Sequence, residues 1–228
     1  TEIYTLSLHD ALPISLGQQD VRIMRRTTMQ GTVKDAATLK PLKAKISIID
    51  NSTGQAIAST NAGLRTGEFN MSFLAGDNYV LMVTADEYWF YSENLYLNQL
   101  TTFQNFNREV LLKSIDIGSS IELNNVTFER NKATLAPEAM AELENLAKVL
   151  KNNPNVIVEI GGHCDDIEAA QNASIADDRA KAVAAFLIDR EIPNITSKSY
   201  SNSRPVATGE TEESHKKNRR VEVTVIDK

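Results

Sequence analysis

The sequence predicts two domains, an all-β sandwich followed by an α+β domain with two helices packed on a mixed sheet. Residues 27–113 consist of short apolar runs separated by turn residues, at the spacing typical of a small antiparallel sandwich. From residue 121 to residue 228, helical periodicity alternates with strand-like runs, which indicates a layered sheet with helices on one face. Residues 114–120 are interpreted as the linker between the two domains.

Alternating apolar residues define the strands of the predicted sandwich. The segments KAKISIID, EFNMSF and NYVLMVTA each place every second side chain on one face, and the turn sequences NSTG, RTG and AGDN lie between them. The predicted inward residues are Ile46, Ile48, Phe69, Met71, Phe73, Tyr79, Leu81 and Val83. The aromatic run Tyr88–Tyr91 has two interpretations, a sugar-stacking platform or core and edge packing, and packing is favoured.

Two helices and two strands define the second domain. Pro137 suits the first turn of a helix, which the sequence NNPN ends. The run VIVEIGG predicts a buried strand, and a second helix is predicted from Asn172 to Arg190. The sequence RRVEVTVI predicts the last strand. The expected buried residues are Met140, Leu143, Leu146, Ala147, Leu150, Ile175, Val183, Phe186, Leu187, Val221, Val223 and Val225.

Composition excludes several classes of protein. The formal net charge of −6 argues against a nucleic-acid scaffold, so no nucleic acid is expected as a partner. No apolar run of the sequence approaches the ~18 residues that a membrane helix needs. Cys164 is the single cysteine, so no disulfide can form within the chain.

The sequence GGHCDD places His163, Cys164 and Asp165 next to one another, which raises the question of an enzyme. Consecutive residues at a strand end point to opposite faces, so they cannot form a relay in which each side chain contacts the next. The spacing is equally poor for zinc, because His215 has no nearby cysteine or ligand-spaced histidine. We therefore predict no catalytic residue, no metal and no cofactor.

A different group of polar residues suits a zwitterionic ligand. Asn172 and Arg179 are seven residues apart on the second predicted helix, so they are expected to share a face. Asp165 follows the strand that precedes this helix. A carboxylate and a guanidinium flanking one pocket can bind an ammonium and a carboxylate carried on the same carbon. The alternative, an ordinary Asp–Arg surface pair, is favoured if spacing alone is considered.

The region from about Ile121 to Ile226 resembles the OmpA-like peptidoglycan-binding domain. The matching pieces, in order, are VTFERNKATLAPEAMAELENLAKVL, PNVIVEIGGHCD, NASIADDRAKAVAAFL and NRRVEVTVI. The resemblance implies a binding protein that contacts the diaminopimelate of the peptide stem. It implies that Asp165 takes the ammonium, that Arg179 takes the carboxylate, and that Asn131, Asn172 and Arg219 support them.

This sequence departs from the family pattern at a few positions. Cys164 replaces the usual Thr between His and Asp, and Ile175-Ala176 replaces the usual Leu-Ser. Ser199 and Ser201 flank Tyr200 in place of two glycines, Ser214-His215 replaces a Gly-Arg pair, and the segment between Asp165 and Asn172 is about one residue short. Because the two charged residues survive, these departures affect the expected affinity more than the fold.

Residues 27–113 resemble the carboxypeptidase-regulatory-like, transthyretin-like β-sandwich in strand order and turn placement. This domain followed by an OmpA-like domain resembles a layout of outer-membrane proteins in Bacteroidetes. The resemblance implies a periplasmic protein that anchors the outer membrane to the cell wall. The alternative function is an adhesin or assembly protein whose sandwich binds a protein or glycan, with the second domain only as anchor. A hydrolase at His163–Asp165 is the third and weakest hypothesis.

Residues 1–15, TEIYTLSLHDALPIS, resemble the translation of a common short-read sequencing adapter. We interpret this segment as an artefact and residues 16–26 as a remnant or linker. An association with the outer membrane would then depend on an upstream region that is missing. Omitting Glu2 and Asp10 changes the net charge from −6 to −4, which leaves the exclusion of nucleic acid unchanged.

Overall fold

A computed structural model describes residues 26–74, 78–97, 105–137 and 139–228. The segment 1–15, interpreted as an adapter, and residues 16–25 of the remnant lie outside the described residues. The strands are β1 (Arg26–Asp35), β2 (Lys45–Asp50), β3 (Ala56–Asn61), β4 (Glu68–Leu74), β5 (Tyr79–Thr84), β6 (Tyr91–Leu95), β7 (Asn105–Leu112), β8 (Ser120–Glu122), β9 (Ile157–His163), β10 (Ile195–Ser201) and β11 (Val221–Asp227). The helices are α1 (Ala139–Asn152), α2 (Asp166–Gln171), α3 (Ile175–Ile188) and α4 (Glu212–Asn218).

The N-terminal part contains two sheets that share one apolar core. The first sheet has the order β4-β1-β7, with β1 and β7 parallel, and the second has the order β3-β2-β5-β6, with all neighbours antiparallel. Phe69, Met71 and Phe73 of β4 are buried and alternate with exposed residues, as predicted. They lie in one core with Ile46 and Ile48 of β2. The predicted alternation is therefore confirmed for β4, whereas in β2 Ser47 is buried together with Ile46 and Ile48.

Strand β5 is buried on both faces, which the alternation did not predict. Tyr79, Leu81 and Val83 belong to the core between the two sheets. Val80 and Met82 are 3% and 4% exposed and belong to a second core, which the C-terminal part covers. A strand buried on both faces has no polar side to mark it, so its sequence is apolar throughout.

The C-terminal part is a four-stranded mixed sheet with the order β10-β9-β11-β8. β9 and β10 are parallel, whereas β11 runs antiparallel to both β9 and β8. The two predicted helices correspond to α1 and α3, and the two predicted strands to β9 and β11. The elements α2, α4, β8 and β10 were not predicted. Within the described ranges, no helix has the length and apolar character needed to cross a membrane.

The predicted start of the second helix, at Asn172, is wrong. The chain forms the short helix α2 before α3, and Asn172 is the C-cap of α2 with an extended backbone at φ −145°. Asn172 therefore does not share a helix face with Arg179, which lies in α3. The Asn172 side chain instead accepts hydrogen bonds from the backbone N–H and hydroxyl of Ser174, just before α3 begins. Asparagine makes this local bond readily, and it competes with continuing a helix.

The two parts of the chain share a core at the segment that the sequence suggested as a linker. Trp89 is 1% exposed, and its indole N–H donates to Ser119 Oγ at 3.0 Å. Ile115 is 1% exposed and lies in the same core as Trp89 and Phe90. Trp89 and Phe90 are thus packing residues, as favoured for the aromatic run. Buried contacts of this kind fix the second sheet against the C-terminal part.

Glu142 of α1 is a buried carboxylate at this shared surface. Its Oε1 accepts from Ser92 Oγ at 2.7 Å, and its Oε2 accepts from the backbone N–H of Asn125 at 2.5 Å. Burial raises the pKa of Glu142 above its ordinary value of 4.5, although these hydrogen bonds act in the opposite direction. The pKa of Glu144, two residues further along α1, is lowered by its hydrogen bond from Arg190.

We expect Glu142→Gln to change how stability depends on pH. Because the pKa of Glu142 is raised in the folded state, protonated Glu142 favours the folded protein. Its stabilising effect is complete below about pH 4.5 and is lost as the pH rises through the folded-state pKa. The melting temperature of Glu142→Gln relative to wild type should therefore increase between about pH 4 and pH 7. Thermal unfolding measured across that range tests this.

Glu144→Gln serves as the control for Glu142→Gln. Because the pKa of Glu144 is lowered, its carboxylate stabilises the folded protein at pH values above its ordinary pKa of 4.5. This stabilisation is lost as the pH falls through the folded-state pKa. Its effect is small, since the Glu144 side chain is 45% exposed. A melting difference for Glu142→Gln that stays constant with pH would contradict the prediction.

Candidate functional site

The end of β9 brings the GGHCDD sequence against helix α3. A Cβ atom added to Gly162 would lie 1.8 Å from the backbone oxygen of Ala176, so only glycine allows α3 to approach the strand this closely. The next three residues, His163 to Asp165, are all at most 3% exposed. The local sequence therefore places Asp165 below the surface, at the junction of β9, α2 and α3.

Asp165 caps helix α2 and forms an ion pair with Arg219. Its Oδ1 accepts from the backbone N–H of Glu168 at 2.8 Å, which is an N-cap bond. Its Oδ2 accepts from Arg219 Nη1 at 2.8 Å. Arg219 donates through Nη2 to Glu212 Oε1 at 2.6 Å, and the Glu212 side chain is 66% exposed. The charges thus form a chain from the interior to the surface.

Both members of the Asp165–Arg219 pair stay charged. Burial alone would raise the pKa of Asp165, but the Glu168 N–H and the Arg219 guanidinium outweigh it and lower that pKa. Burial would lower the pKa of Arg219, yet Asp165 and Glu212 raise it. The carboxylate of Asp165 is therefore ionised throughout the neutral range.

Arg179 forms a bidentate pair with Glu168, a residue that the sequence analysis did not select. Nη1 donates to Glu168 Oε2 and Nη2 to Glu168 Oε1, both at 2.7 Å, and both side chains are fully buried. The backbone N–H of Asn131 also donates to Glu168 Oε1 at 2.6 Å. The guanidinium carbon lies 5.0 Å from the centre of the Phe128 ring. Arg179 is consequently not an open anion site in this conformation.

Every N–H group of the Arg179 guanidinium has an acceptor. The remaining donors reach backbone oxygens of His163 at 3.2 Å, Lys132 at 3.1 Å and Glu129 at 3.2 Å. A guanidinium carries five N–H donors, so none remains for a ligand unless a partner leaves. In this conformation Asp165 and Arg179 do not flank one open pocket, because each has its own buried partner, and their role in binding a ligand stays a prediction.

The remaining predicted residues lie around this pair. Asn131 has a positive φ of 56°, is exposed, and donates through Nδ2 to Gln171 Oε1 at 3.2 Å. Asn172 lies at the end of α2 and is half-buried. Arg219 contacts Asp165 directly. A groove of about 720 Å³ borders the site and is lined in part by Thr127, Glu129, Lys132, Glu212, Lys216 and Arg219; we call it the stem groove.

Glu168 was missed because nothing in its sequence neighbourhood distinguishes it from a solvated helix residue. The one available signal is its position three residues after Asp165. In a capping box, the glutamate at this spacing reaches back towards the N-cap residue. Its burial depends on Arg179, eleven residues further along the chain, and that contact is formed only when α2 and α3 pack together.

His163 and Cys164 lack the properties of a catalytic pair. Burial raises the pKa of the Cys164 thiol, whose Sγ lies 3.7 Å from Ser201 Oγ. Burial, helped by Arg220, lowers the pKa of His163 to about 4, and its ring stacks on Tyr200 with centres 5.3 Å apart. Across the described ranges, no three His, Cys, Asp or Glu side chains are grouped to hold a metal ion.

Comparisons with known proteins identify the C-terminal region. Residues 127–219 match the OmpA family. The chain is 39% identical over 98 residues to the peptidoglycan-associated lipoprotein of Pseudomonas putida, covering 42% of this chain and 59% of that protein. It is 30% identical over 138 residues to the peptidoglycan-associated lipoprotein of Buchnera aphidicola subsp. Baizongia pistaciae, covering 59% of this chain and 77% of that protein.

A solved structure covers the same region. The crystal structure of the peptidoglycan-associated lipoprotein from Burkholderia pseudomallei aligns with 43% of this chain and 86% of its own, at 26% identity and a TM-score of 0.41. The chain spans about three fifths of the Pseudomonas putida protein and about three quarters of the Buchnera protein. On the family match and the extent of the Buchnera relative, the chain belongs to the OmpA family.

Proposed function

We propose that this chain is a non-catalytic peptidoglycan-binding protein that anchors the outer membrane to the cell wall from the periplasm. The stem groove and the charges of Asp165 and Arg179 would bind the diaminopimelate of the peptide stem, with Asn131, Asn172 and Arg219 around them. Membership of the OmpA family and similarity to peptidoglycan-associated lipoproteins support the general function. An upstream region is proposed to provide the outer-membrane attachment.

The bidentate Glu168–Arg179 pair is the observation that carries the diaminopimelate proposal. A carboxylate already occupies the guanidinium of Arg179, at two distances of 2.7 Å. This is the geometry in which arginine binds the carboxylate of a ligand. On the other side, the Arg219 guanidinium occupies Asp165, where a ligand ammonium would bind. Both charges of an amino-acid zwitterion thus have a counterpart inside the protein.

We infer that binding occurs by exchange of these counterparts. The ligand carboxylate would replace Glu168 at Arg179, and the ligand ammonium would replace Arg219 at Asp165. Arg219 would keep Glu212, which already accepts its second nitrogen at 2.6 Å. Glu168 would then have to reach solvent or take up a proton, because a buried carboxylate that loses its counter-charge costs about 3–5 kcal/mol. The ion pairs between ligand and protein should weaken with salt.

The β-sandwich is proposed to be a carboxypeptidase-regulatory-like domain of residues 27–113, joined through residues 114–120 to an OmpA-like domain of residues 121–228. Two sheets that enclose one core support this assignment. The combination is proposed to be the Bacteroidetes layout. For the adhesin alternative, the aromatic run Tyr88–Tyr91 was considered as a sugar-stacking surface. Trp89 and Phe90 of this run are 1% and 6% exposed, so they are not available to stack on a sugar.

We expect Asp165→Asn to reduce binding to purified peptidoglycan sacculi about tenfold or more. A hydrogen bond to a charged group contributes about 1.5–3 kcal/mol, and 1.4 kcal/mol corresponds to a factor of ten. Co-sedimentation of the full chain with sacculi measures this. Asp166→Asn is the matched control, since Asp166 is adjacent, exposed, and accepts only from Asn202 at 2.9 Å.

Two outcomes of the sacculus assay would contradict the proposed function. One is a folded Asp165→Asn variant that binds like wild type. The other is a loss of binding in Cys164→Ser, which the proposal expects to bind nearly as well as wild type because the thiol contacts no ligand. The melting temperature of each variant shows whether it is folded.

A further inference from the structure

A second groove lies where the β3-β2-β5-β6 sheet meets the C-terminal sheet, and we call it the junction cleft. It has a volume of about 780 Å³. One wall is formed by Asn51, Asn78, Asn94 and Tyr96, at the ends of β2, β5 and β6. The other wall includes residues that follow β8, part of helix α4 and the two arginines just before β11. The cleft therefore exists only when the two parts are joined.

Five side-chain amides line the junction cleft beside its charged residues. Asn94 Nδ2 donates to Asn125 Oδ1 at 2.5 Å, which bridges the two walls. Asn51 Nδ2 donates to Asn78 Oδ1 at 2.8 Å. A carboxamide has two N–H donors and one acceptor oxygen, so each pair retains further donors and one oxygen with no partner among the described residues. Uncharged groups of this kind suit hydroxyl and acetamido groups of a neutral ligand.

Tyr96 adds an aromatic surface to this wall. It is 71% exposed, unlike the buried Trp89 and Phe90 of the earlier aromatic run. An exposed aromatic ring beside hydrogen-bonding groups presents an apolar face and a polar rim to one ligand. Sugar rings carry C–H faces and polar edges, and therefore match this combination.

Arg220 adds a buried hydrogen-bond donor to the lining of the junction cleft. It is 4% exposed and lines the cleft, and its Nη1 is buried without a hydrogen-bond partner in the described part of the chain. Its Nε donates to Glu222 at 2.8 Å and its Nη2 donates to the backbone oxygen of Arg204 at 3.0 Å. A buried donor without an acceptor is costly, so a ligand oxygen at this position would be favoured.

The junction cleft is continuous with the stem groove. Thr127, Lys216 and Arg219 line both of them, and Arg219 also binds Asp165. We propose that the junction cleft binds the saccharide strand of peptidoglycan, a chain of N-acetylated amino sugars, while the stem groove binds the peptide attached to it. This inference rests on the proposed function and assigns the second half of the same polymer to a second site.

The charge of the cleft favours a neutral saccharide over a polyanion. Lys216 and Lys217 of α4 are accompanied by Glu213 and Glu122 along the same lining. The two arginines of the lining are paired with carboxylates outside it, Arg219 with Asp165 and Glu212, and Arg220 with Glu222. The Lys217 ammonium lies 3.1 Å from Glu213 Oε1, which neutralises part of the positive charge. A site for an anionic polymer needs an excess of cations that track its charges.

The test uses saccharide strands from which all stem peptides have been removed enzymatically, together with the full chain. We expect wild type to bind these strands and Tyr96→Ala/Asn78→Ala to bind them about tenfold or more weakly, while both bind soluble stem peptide equally. Asp165→Asn should bind the stem-free strands like wild type and the soluble stem peptide more weakly. Leu64→Ala/Asn107→Ala is the control, since Leu64 is 72% exposed and Asn107 is exposed, and neither lines the cleft.

Three results would overturn the inference. Wild type that binds stem peptide but no stem-free strands would exclude a saccharide site while leaving the proposed function intact. Equal binding of strands by Tyr96→Ala/Asn78→Ala and wild type would place the saccharide elsewhere. Displacement of bound strands by heparin, but not by N-acetylglucosamine oligomers, would indicate a polyanion site instead. If wild type binds the stem-free strands but not the soluble stem peptide, the result would count against the proposed function and not against the saccharide site in the cleft.

Discussion

Arg179→Ala is expected to lower the free energy of unfolding by about 3–5 kcal/mol. The substitution would leave the Glu168 carboxylate fully buried without the guanidinium that it contacts through two bonds of 2.7 Å. It would also remove the donors to the backbone oxygens of Glu129, Lys132 and His163. Chemical denaturation of the purified chain measures the loss, with the denaturant slope checked for two-state behaviour.

Two further variants separate the charge pair from general packing. Arg130→Ala is the matched control, because Arg130 forms an exposed pair with Glu212 at 2.9 Å, and it should change stability by less than about 1 kcal/mol. Glu168→Leu/Arg179→Met removes both charges together, so it should be less destabilised than the sum of the single substitutions. An Arg179→Ala variant as stable as Arg130→Ala would show that the pair is not buried.

This result affects how binding assays on Arg179 are interpreted. The family resemblance alone suggests that Arg179→Ala loses one ligand contact and about tenfold in affinity. The buried pair with Glu168 means that the same substitution also disturbs the segment between β9 and α3. Lost sacculus binding in Arg179→Ala therefore cannot be attributed to a ligand contact, and Asp165→Asn with its neighbouring control is the more informative experiment.

Glu168→Ala is expected to produce a protein that small carboxylates stabilise. Removing Glu168 leaves Arg179 with two donors and no acceptor in a buried site, at a cost of about 3–5 kcal/mol. Acetate can fill the space and accept both bonds. A ligand present at 100 times its dissociation constant stabilises the folded state by about 2.7 kcal/mol. Melting temperatures measured in acetate and in chloride at equal ionic strength test this.

Wild type and Glu213→Ala are the controls for acetate rescue, since Glu213 is exposed on α4. Neither should gain more stability from acetate than from chloride. If ligand carboxylate exchanges with Glu168, folded Glu168→Ala in acetate-free buffer should also bind stem peptide more tightly than wild type. A Glu168→Ala variant that responds to acetate no more than the controls would mean that the guanidinium is not an available carboxylate site.

Several elements of the fold could be predicted because their side-chain periods are local. Phe69, Met71 and Phe73 alternate on β4 and are buried, and Val221, Val223 and Val225 do the same on β11. The apolar stripe of α1 is also buried at the predicted spacing, apart from the half-buried Met140. A residue period is a property of the chain itself, so the sequence reveals it without knowledge of the partner.

Predictions of burial were less complete where burial depends on contact with a distant segment of the chain. Val80 and Met82 are apolar on the face of β5 that an isolated sandwich would expose, and they are buried only because the C-terminal part covers them. Glu142 of α1 is buried although it lies outside the predicted apolar stripe, because Ser92 and Asn125 supply its hydrogen bonds. Local periodicity does not contain these contacts between distant segments.

For the candidate site, the sequence by itself determined which charges are present and that Asp165 ends a strand next to a helix. The need for glycine at position 162 follows from the close approach of α3, which is a tertiary contact. Only the tertiary structure decided how the charges are paired: Asp165 with Arg219, and Arg179 with Glu168. The physical reason is that a buried charge takes whichever opposite charge the packing of separate elements brings within hydrogen-bond distance, and sequence spacing does not encode that choice.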